Sequence, residues 1–153
     1  MYKDIVLGQG LEEMAAKLGY ELLKGKVVKA KENNRGLFES KNTRMIYNLE
    51  DTGTREFMHH RNSGLNQVLC KLARDNDITI VFSLALVLSK NRREASMIMG
   101  RMMQNVRFCR KYGVGMRLAS MAKDPYEMRA PKDMMSFGVC IGMSPGEAKR
   151  ALE

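Results

Sequence analysis

The run Ile78-Thr79-Ile80-Val81-Phe82-Ser83-Leu84-Ala85-Leu86 decides the architecture of this chain. It opens on β-branched residues and carries no charge. A short apolar run without alternation reads as a strand buried on both faces, with its exit at Leu84 to Leu86. Such strands belong to parallel sheets covered by helices, so the flanking segments should be helical. Upstream, Ser63 is placed to cap a helix from Gly64 to about Arg74, with Leu65, Val68, Leu69 and Leu72 on one face. Downstream, Asn91 with Glu94 three residues on is a capping-box pattern. The helix it opens runs to about Tyr112 and stops at Gly113. At about 100° per residue, Ala95, Ile98, Met99, Met102, Val106 and Cys109 share one apolar arc. Arg93, Gln104, Arg107 and Lys111 fall on the opposite, basic side.

The pattern continues outward in both directions. Val114 to Ser120 reads as a second strand. Asp124-Pro125-Tyr126-Glu127 supplies a cap, a proline at the first helical position and a glutamate at the third. Pro131 opens a helix through Met134, Phe137 and Cys140 that ends at Gly142, and Ser144-Pro145-Gly146-Glu147 starts the last one. Strands alternating with helices predict βαβ units around a parallel sheet. In the first half, Tyr2 to Leu7 predicts a strand and Leu11 to Leu18 a helix ended by Gly19. Tyr20 to Leu23 or Val27-Val28 offers a further strand, and Met45 to Asn48 another. Lys29 to Gly36 is polar and turn-rich, and reads as a loop. With no internal repeat and no linker composition, one domain over residues 1–153 is expected.

Composition narrows the partners. Lys and Arg number 26 against 17 Asp and Glu, a net charge of +9, which favours a polyanion such as nucleic acid. Hydrophobic residues at 44% exclude wholesale disorder, and the 14 methionines read as core filler. Cys70, Cys109 and Cys140 are isolated among apolar neighbours, so buried free thiols are expected rather than disulfides or zinc ligands. No apolar run reaches signal-peptide or membrane-span length, which predicts a cytoplasmic chain with no membrane partner.

Catalytic patterns are missing. His59 and His60 are neighbours whose side chains diverge, a poor chelate, and they read as a surface or RNA-facing loop. Gly8-Gln9-Gly10 lacks the third spaced glycine of a dinucleotide fingerprint. Nothing in the spacing pairs a nucleophile with a base. The expectation is no independent active site, no metal site and no cofactor held by this chain. The basic residues are better placed for function. Arg61 and Lys71 flank or occupy the first helix of this half, Arg107 and Lys111 end the long one, and Lys123, Arg129 and Lys132 follow the Val114–Ser120 strand. Ligands of α/β folds bind beyond the carboxyl ends of strands, where such cations would meet phosphates.

Four blocks then carry a family resemblance. They are Ser63-Gly64-Leu65-Asn66-Gln67-Val68-Leu69-Cys70-Lys71-Leu72-Ala73, Asn105-Val106-Arg107-Phe108-Cys109-Arg110-Lys111-Tyr112-Gly113, Asp124 to Asp133, and Ile141-Gly142-Met143-Ser144 with Ala148. In this order they resemble the archaeal ribonuclease P protein component 3 family, from about Arg61 onward. The resemblance implies a TIM-barrel-like α/β fold. It also implies a subunit of ribonuclease P, the ribonucleoprotein endonuclease that removes the 5′ leader of precursor tRNA. In that family the RNA subunit carries the catalytic centre with bound magnesium, and the proteins bind and stabilise that RNA. The implied partners are the ribonuclease P RNA, protein component 2 and the other holoenzyme subunits, with precursor tRNA met indirectly.

There are departures. Ser120-Met121-Ala122 stands where the family has Ser-Gly-Ala, and the N-terminal half is short. The barrel should therefore be shortened or incomplete there, with a βα unit reduced to a loop such as Lys29–Gly36. The same barrel type hosts metal-dependent phosphoesterases of the polymerase and histidinol phosphatase kind, but no N-terminal Asp-x-His-x-His element supports that alternative. A general RNA-binding scaffold is the third reading.

Overall fold

A computed structural model describes residues 1–53 and 55–153. Six strands alternate with helices: β1 (Tyr2–Asp4), α1 (Glu12–Leu18), β2 (Tyr20–Leu22), β3 (Val27–Lys29), α2 (Arg35–Glu39), β4 (Met45–Tyr47), α3 (Gln67–Asp75), β5 (Thr79–Ser83), α4 (Leu84–Leu88), α5 (Arg92–Tyr112), β6 (Met116–Ala119), α6 (Pro131–Cys140) and α7 (Pro145–Arg150). Short 3₁₀ turns at Leu49–Asp51 and Pro125–Glu127 complete it.

Every strand pair is parallel, in a four-stranded sheet ordered β3-β4-β5-β6 and a two-stranded sheet β1-β2. The two sheets meet along β1 and β6. Met121 N–H donates to Ile5 O at 2.9 Å, and the C-terminal backbone fills the space below: Leu118 N–H donates to Ala151 O and Lys3 N–H to Leu152 O. The wall of strands therefore runs β2, β1, residues 151–152, β6, β5, β4, β3. Only residues 23–26 join β2 to β3. A parallel pair needs a crossover of a dozen or more residues, so these two strands cannot pair with each other and the ring is open at that point. The shortening lies here, at 23–26. Lys29 to Gly36 is not the reduced unit; it holds the end of β3 and the start of α2.

Alternation along the strands divides two cores. Ile46, Ile80, Phe82 and Leu118 point outward to the helices, into the main cluster with Met102, Val106 and Met134, all at 0% exposure. Val81, Ala119, Met121 and Ile5 point into the barrel and pack with Val27, Met45 and Tyr47. The wholly apolar run of β5 follows from burial on both sides. Its exit is a short helix, α4, capped by Ser83 Oγ accepting from Leu86 N–H.

Local signals match chemistry. Asn91 Oδ1 accepts from Glu94 N–H at 3.0 Å to open α5, and Gly113 ends it at φ 69°. Ser144 and Glu147 form a reciprocal capping box on α7. Both candidate segments of the first half are strands, β2 and β3. Two expectations need correction. The helix after Ser63 begins at Gln67 and is capped by Asn66, whose Oδ1 accepts from Leu69 N–H. Gly64 lies against Leu49 O in the left-handed region (φ 79°), a conformation that cannot be the first turn of a helix. Cys70 and Cys109 are buried thiols, but Cys140 is exposed. It is the last residue of α6, one turn beyond Phe137, where the helix ends. Among the described residues, no helix is long and apolar enough to cross a membrane.

Candidate nucleic-acid interface

The seven basic residues singled out in the sequence fall into two sets. Arg61, Lys71, Arg107 and Lys111 belong to the flank formed by α3, α5 and the segment before α3. Arg61 lies across α5, its guanidinium so close to Gly100 that a Cβ there would meet it at 2.6 Å. Its backbone is held by Gln104, which accepts from its N–H at 3.0 Å and donates to its carbonyl at 2.8 Å. Gln104 thus clamps a loop rather than joining the solvated basic ridge. Arg107 and Lys111 are exposed, with the Lys111 ammonium 5.4 Å from the centre of the Tyr112 ring. Lys71 projects from the exposed side of α3.

Lys123, Arg129 and Lys132 form the second set, after β6. Lys123 is exposed beside a cleft of about 250 Å³ at the carboxyl ends of the strands, which Lys29, Asn48 and Met121 also line. Arg129 is committed internally: its Nη1 donates to Tyr126 O at 2.7 Å and Met128 O at 2.9 Å. That brace fixes the turn before Pro131 and opens α6. Lys132 is exposed on the first turn of α6.

The rim of the barrel is tied by a carboxylate. Asp4, at the end of β1, accepts from Ile5 N–H, Ser120 N–H and Ser120 Oγ, at 2.8, 2.7 and 2.6 Å. Burial raises its pKa from the ordinary carboxylate value, and the Ser120 hydrogen bonds oppose that rise. Beside it Met121 is left-handed at φ 52° and 1% exposed. A left-handed backbone costs roughly 1–2 kcal/mol for a residue with a Cβ, so glycine would be favoured at this position. Methionine recovers the cost by burying its side chain in the barrel.

A second polar cluster escaped the sequence reading. Arg101, 1% exposed, donates through Nε to Glu56 Oε1 at 2.9 Å and through Nη1 to Glu50 O and Gly53 O at 2.8 and 2.7 Å. Asn105 Nδ2 donates to Glu50 Oε1 and to Ser63 O. Glu50 is fully buried with Oε2 unpartnered, and burial pushes its pKa up to about 7 against the Asn105 hydrogen bond. One signal could have found it. At about 100° per residue Asn105 falls within roughly 20° of Ile98, on the buried arc, where a polar side chain implies a buried partner. The cluster fastens Glu50, Gly53, Glu56 and Ser63 onto α5.

The segment between Glu56 and Ser63 carries the histidine pair. His59 and His60 are both exposed, and the His60 ring lies 4.7 Å from that of Phe57. Among the described residues, no three His, Cys, Asp or Glu side chains converge as metal ligands would.

A model of the RNase P subunit p30 family matches residues 54–153, which spans α3 to α7 and includes both basic sets. The chain belongs to that family. Similar p30-type proteins include ribonuclease P protein component 3 of Thermococcus kodakarensis, 33% identical over 92 residues, and that of Methanothermobacter thermautotrophicus, 28% identical over 96 residues. These alignments take in 60% and 63% of this chain but 42% and 39% of the relatives. The chain therefore covers about two fifths of their length. A chain in a cryo-EM structure of archaeal ribonuclease P with mature tRNA has the same fold, at a TM-score of 0.67 and 16% identity, covering 97% of this chain and 75% of that one. The fold shared with that chain thus takes in the first half as well, where the family model does not reach. A TIM-barrel-like fold with a trimmed N-terminal half accounts for both observations.

Proposed function

We infer that this chain acts as a protein subunit of ribonuclease P, binding and stabilising the RNA that removes the 5′ leader of precursor tRNA. The observation that carries the reading is the p30 match over residues 54–153, which coincides with the elements bearing Arg61, Lys71, Arg107, Lys111, Lys123 and Lys132. A net charge of +9 gives such a surface long-range attraction to phosphates, and each phosphate contact adds salt-dependent affinity. Arg129 contributes indirectly, by bracing the turn that presents Lys132. The chemistry belongs to the RNA with its magnesium, and the chain itself supplies no cofactor. Its partners are the ribonuclease P RNA, protein component 2 and the remaining holoenzyme subunits, with precursor tRNA reached through them, in the cytoplasm.

Reconstitution tests this. Ribonuclease P RNA and the other protein subunits are assembled with and without the chain in magnesium buffer, and leader cleavage is followed. The expected result is faster cleavage with the chain present and none by the chain alone. An unchanged rate on adding it would remove the subunit reading, and cleavage by the RNA-free chain would favour the phosphoesterase.

A further inference from the structure

The histidine pair lies in an exposed segment, 55–62, held more firmly than an ordinary loop. Both carboxylate oxygens of Glu56 are engaged, one by Arg101 Nε and the other by the Asn62 N–H. Asn62 Nδ2 donates to Arg55 O at 3.0 Å, and Gln104 grips the Arg61 backbone at its N–H and its carbonyl. Between these clamps Phe57 stands 53% exposed, its ring inclined 37° to that of His60. The fold thus holds an aromatic pair open to water on a fixed backbone.

The pair borders a groove of about 550 Å³. The first turn of α3 and the turn before α2 form its other sides. Asn33 and Asn66 line it, and each spends its side-chain oxygen on the backbone, accepting from Arg35 N–H and Leu69 N–H. Their amide NH₂ groups have no partner among the described residues, so two sets of donors are free at the groove. Arg55 and Arg61 flank the ring pair in sequence and are both exposed. Paired exposed rings, free amide donors and an exposed arginine, Arg55, in the same segment fit one ligand class. A nucleobase stacks on the rings, its ring nitrogens and carbonyls accept from amides, and its phosphate is drawn to the basic segment that carries the rings.

We propose that the Phe57–His60 groove seats an unpaired base of an RNA strand. This rests on the reading of the chain as an RNA-binding subunit and narrows it to one nucleotide site. Free amides beside the rings and the chain's net charge of +9 suit a polyanion better than the apolar side chain of a protein partner.

The chain contains no tryptophan, so Phe57→Trp installs a single fluorophore at the site. Oligouridylate ten-mers should quench it saturably through stacking, whereas a blunt RNA duplex of equal length should not. For unlabelled protein, Phe57→Ala and His60→Ala should each weaken oligouridylate binding about five- to a hundredfold, the range for losing one base–aromatic stack. Phe57→Leu, which keeps the apolar bulk, should lose nearly as much. The exposed positions leave folding unperturbed, and unchanged melting of each variant checks that. Binding within twofold of wild type for both alanine variants would overturn the proposal. So would equal quenching by duplex, or full affinity in Phe57→Leu, the outcome expected of an apolar protein-docking site. Reconstituted cleavage separates the two readings. A chain that stacks bases but does not promote cleavage loses the ribonuclease P reading and keeps the groove. A chain that promotes cleavage while Phe57 variants bind normally loses the groove alone.

Discussion

Two buried carboxylates tie this fold together, and they are held in opposite ways. Asp4 receives three donors on its two oxygens, from Ile5 and Ser120, and closes β1 onto β6 at the rim of the barrel. Glu50 receives one side-chain donor, Asn105, and keeps an oxygen unpartnered beneath α5. Both side chains are 0% exposed. The difference teaches that burial alone does not define a clamp. Asp4 holds its neighbours through its own charge, whereas the Glu50 cluster is held by Arg101, which gathers two backbone carbonyls and Glu56.

The largest expected effect follows from that assignment. Arg101→Met removes the cation at the centre of the cluster and leaves two carbonyls and a carboxylate without their donor. Leaving buried carbonyls unpaired costs roughly 1–3 kcal/mol each, a few kcal/mol together, which urea unfolding would register as a lower midpoint. A loss under 1 kcal/mol would make the cluster dispensable and leave Asp4 as the main polar tie.

Next comes the pH dependence of Glu50. Its folded pKa, about 7, lies above the ordinary value of 4.5, so its stabilisation is complete below pH 4.5 and is lost as pH rises through 7. At pH 8 the ionised group costs the fold about 3 kcal/mol by linkage. Glu50→Gln, which is neutral throughout, should therefore gain stability over wild type at pH 8 and gain little at pH 4. Equal differences at the two pH values would mean that Glu50 is not strained by its charge.

The smallest of the three is Asp4→Ala. It strands the buried Ser120 and Ile5 donors, and a cost of about 2 kcal/mol is expected. Hydrogen exchange should locate the loss at the β1–β6 junction, with α5 protection unchanged. Loss of protection in α5 as well would show the two ties to be one cooperative unit.

Sequence reading was strongest where one local pattern is sufficient. Asn91, Gly113, and Ser144 with Glu147 each solve the problem of unpaired helix ends within four residues, although at Asn91 only the cap forms and Glu94 does not close the box. The apolar arc of α5 was likewise visible, with Ile98, Met102, Val106 and Cys109 buried. Arg101 and Asn105 were not, because a charged or amide side chain is buried only when partners elsewhere in the chain meet it. Those partners, Glu50, Gly53 and Ser63, lie between 42 and 55 positions away. Ser63 misled for a related reason: it has the chemistry of a cap, but Gly64 pressed against Leu49 turns the chain before any helix can start. The basic residues were easy to find and hard to rank. Arg107 and Arg129 look alike in sequence, yet one is exposed on a helix while the other braces its own turn.

The backbone of Ala151 and Leu152 lies between β6 and β1, accepting from Leu118 and Lys3. Lys3 of β1 therefore has no backbone partner on that side until the residues about 150 positions later have been added. At roughly 5–20 residues per second, synthesis separates the two by on the order of ten seconds. During that interval β1 and β2 are a two-stranded fragment with an uncovered edge, which on its own is marginally stable in water. The seam between β1 and β6 is thus completed by residues that follow β1 by about 150 positions, and until they are made that edge of the barrel wall stays open.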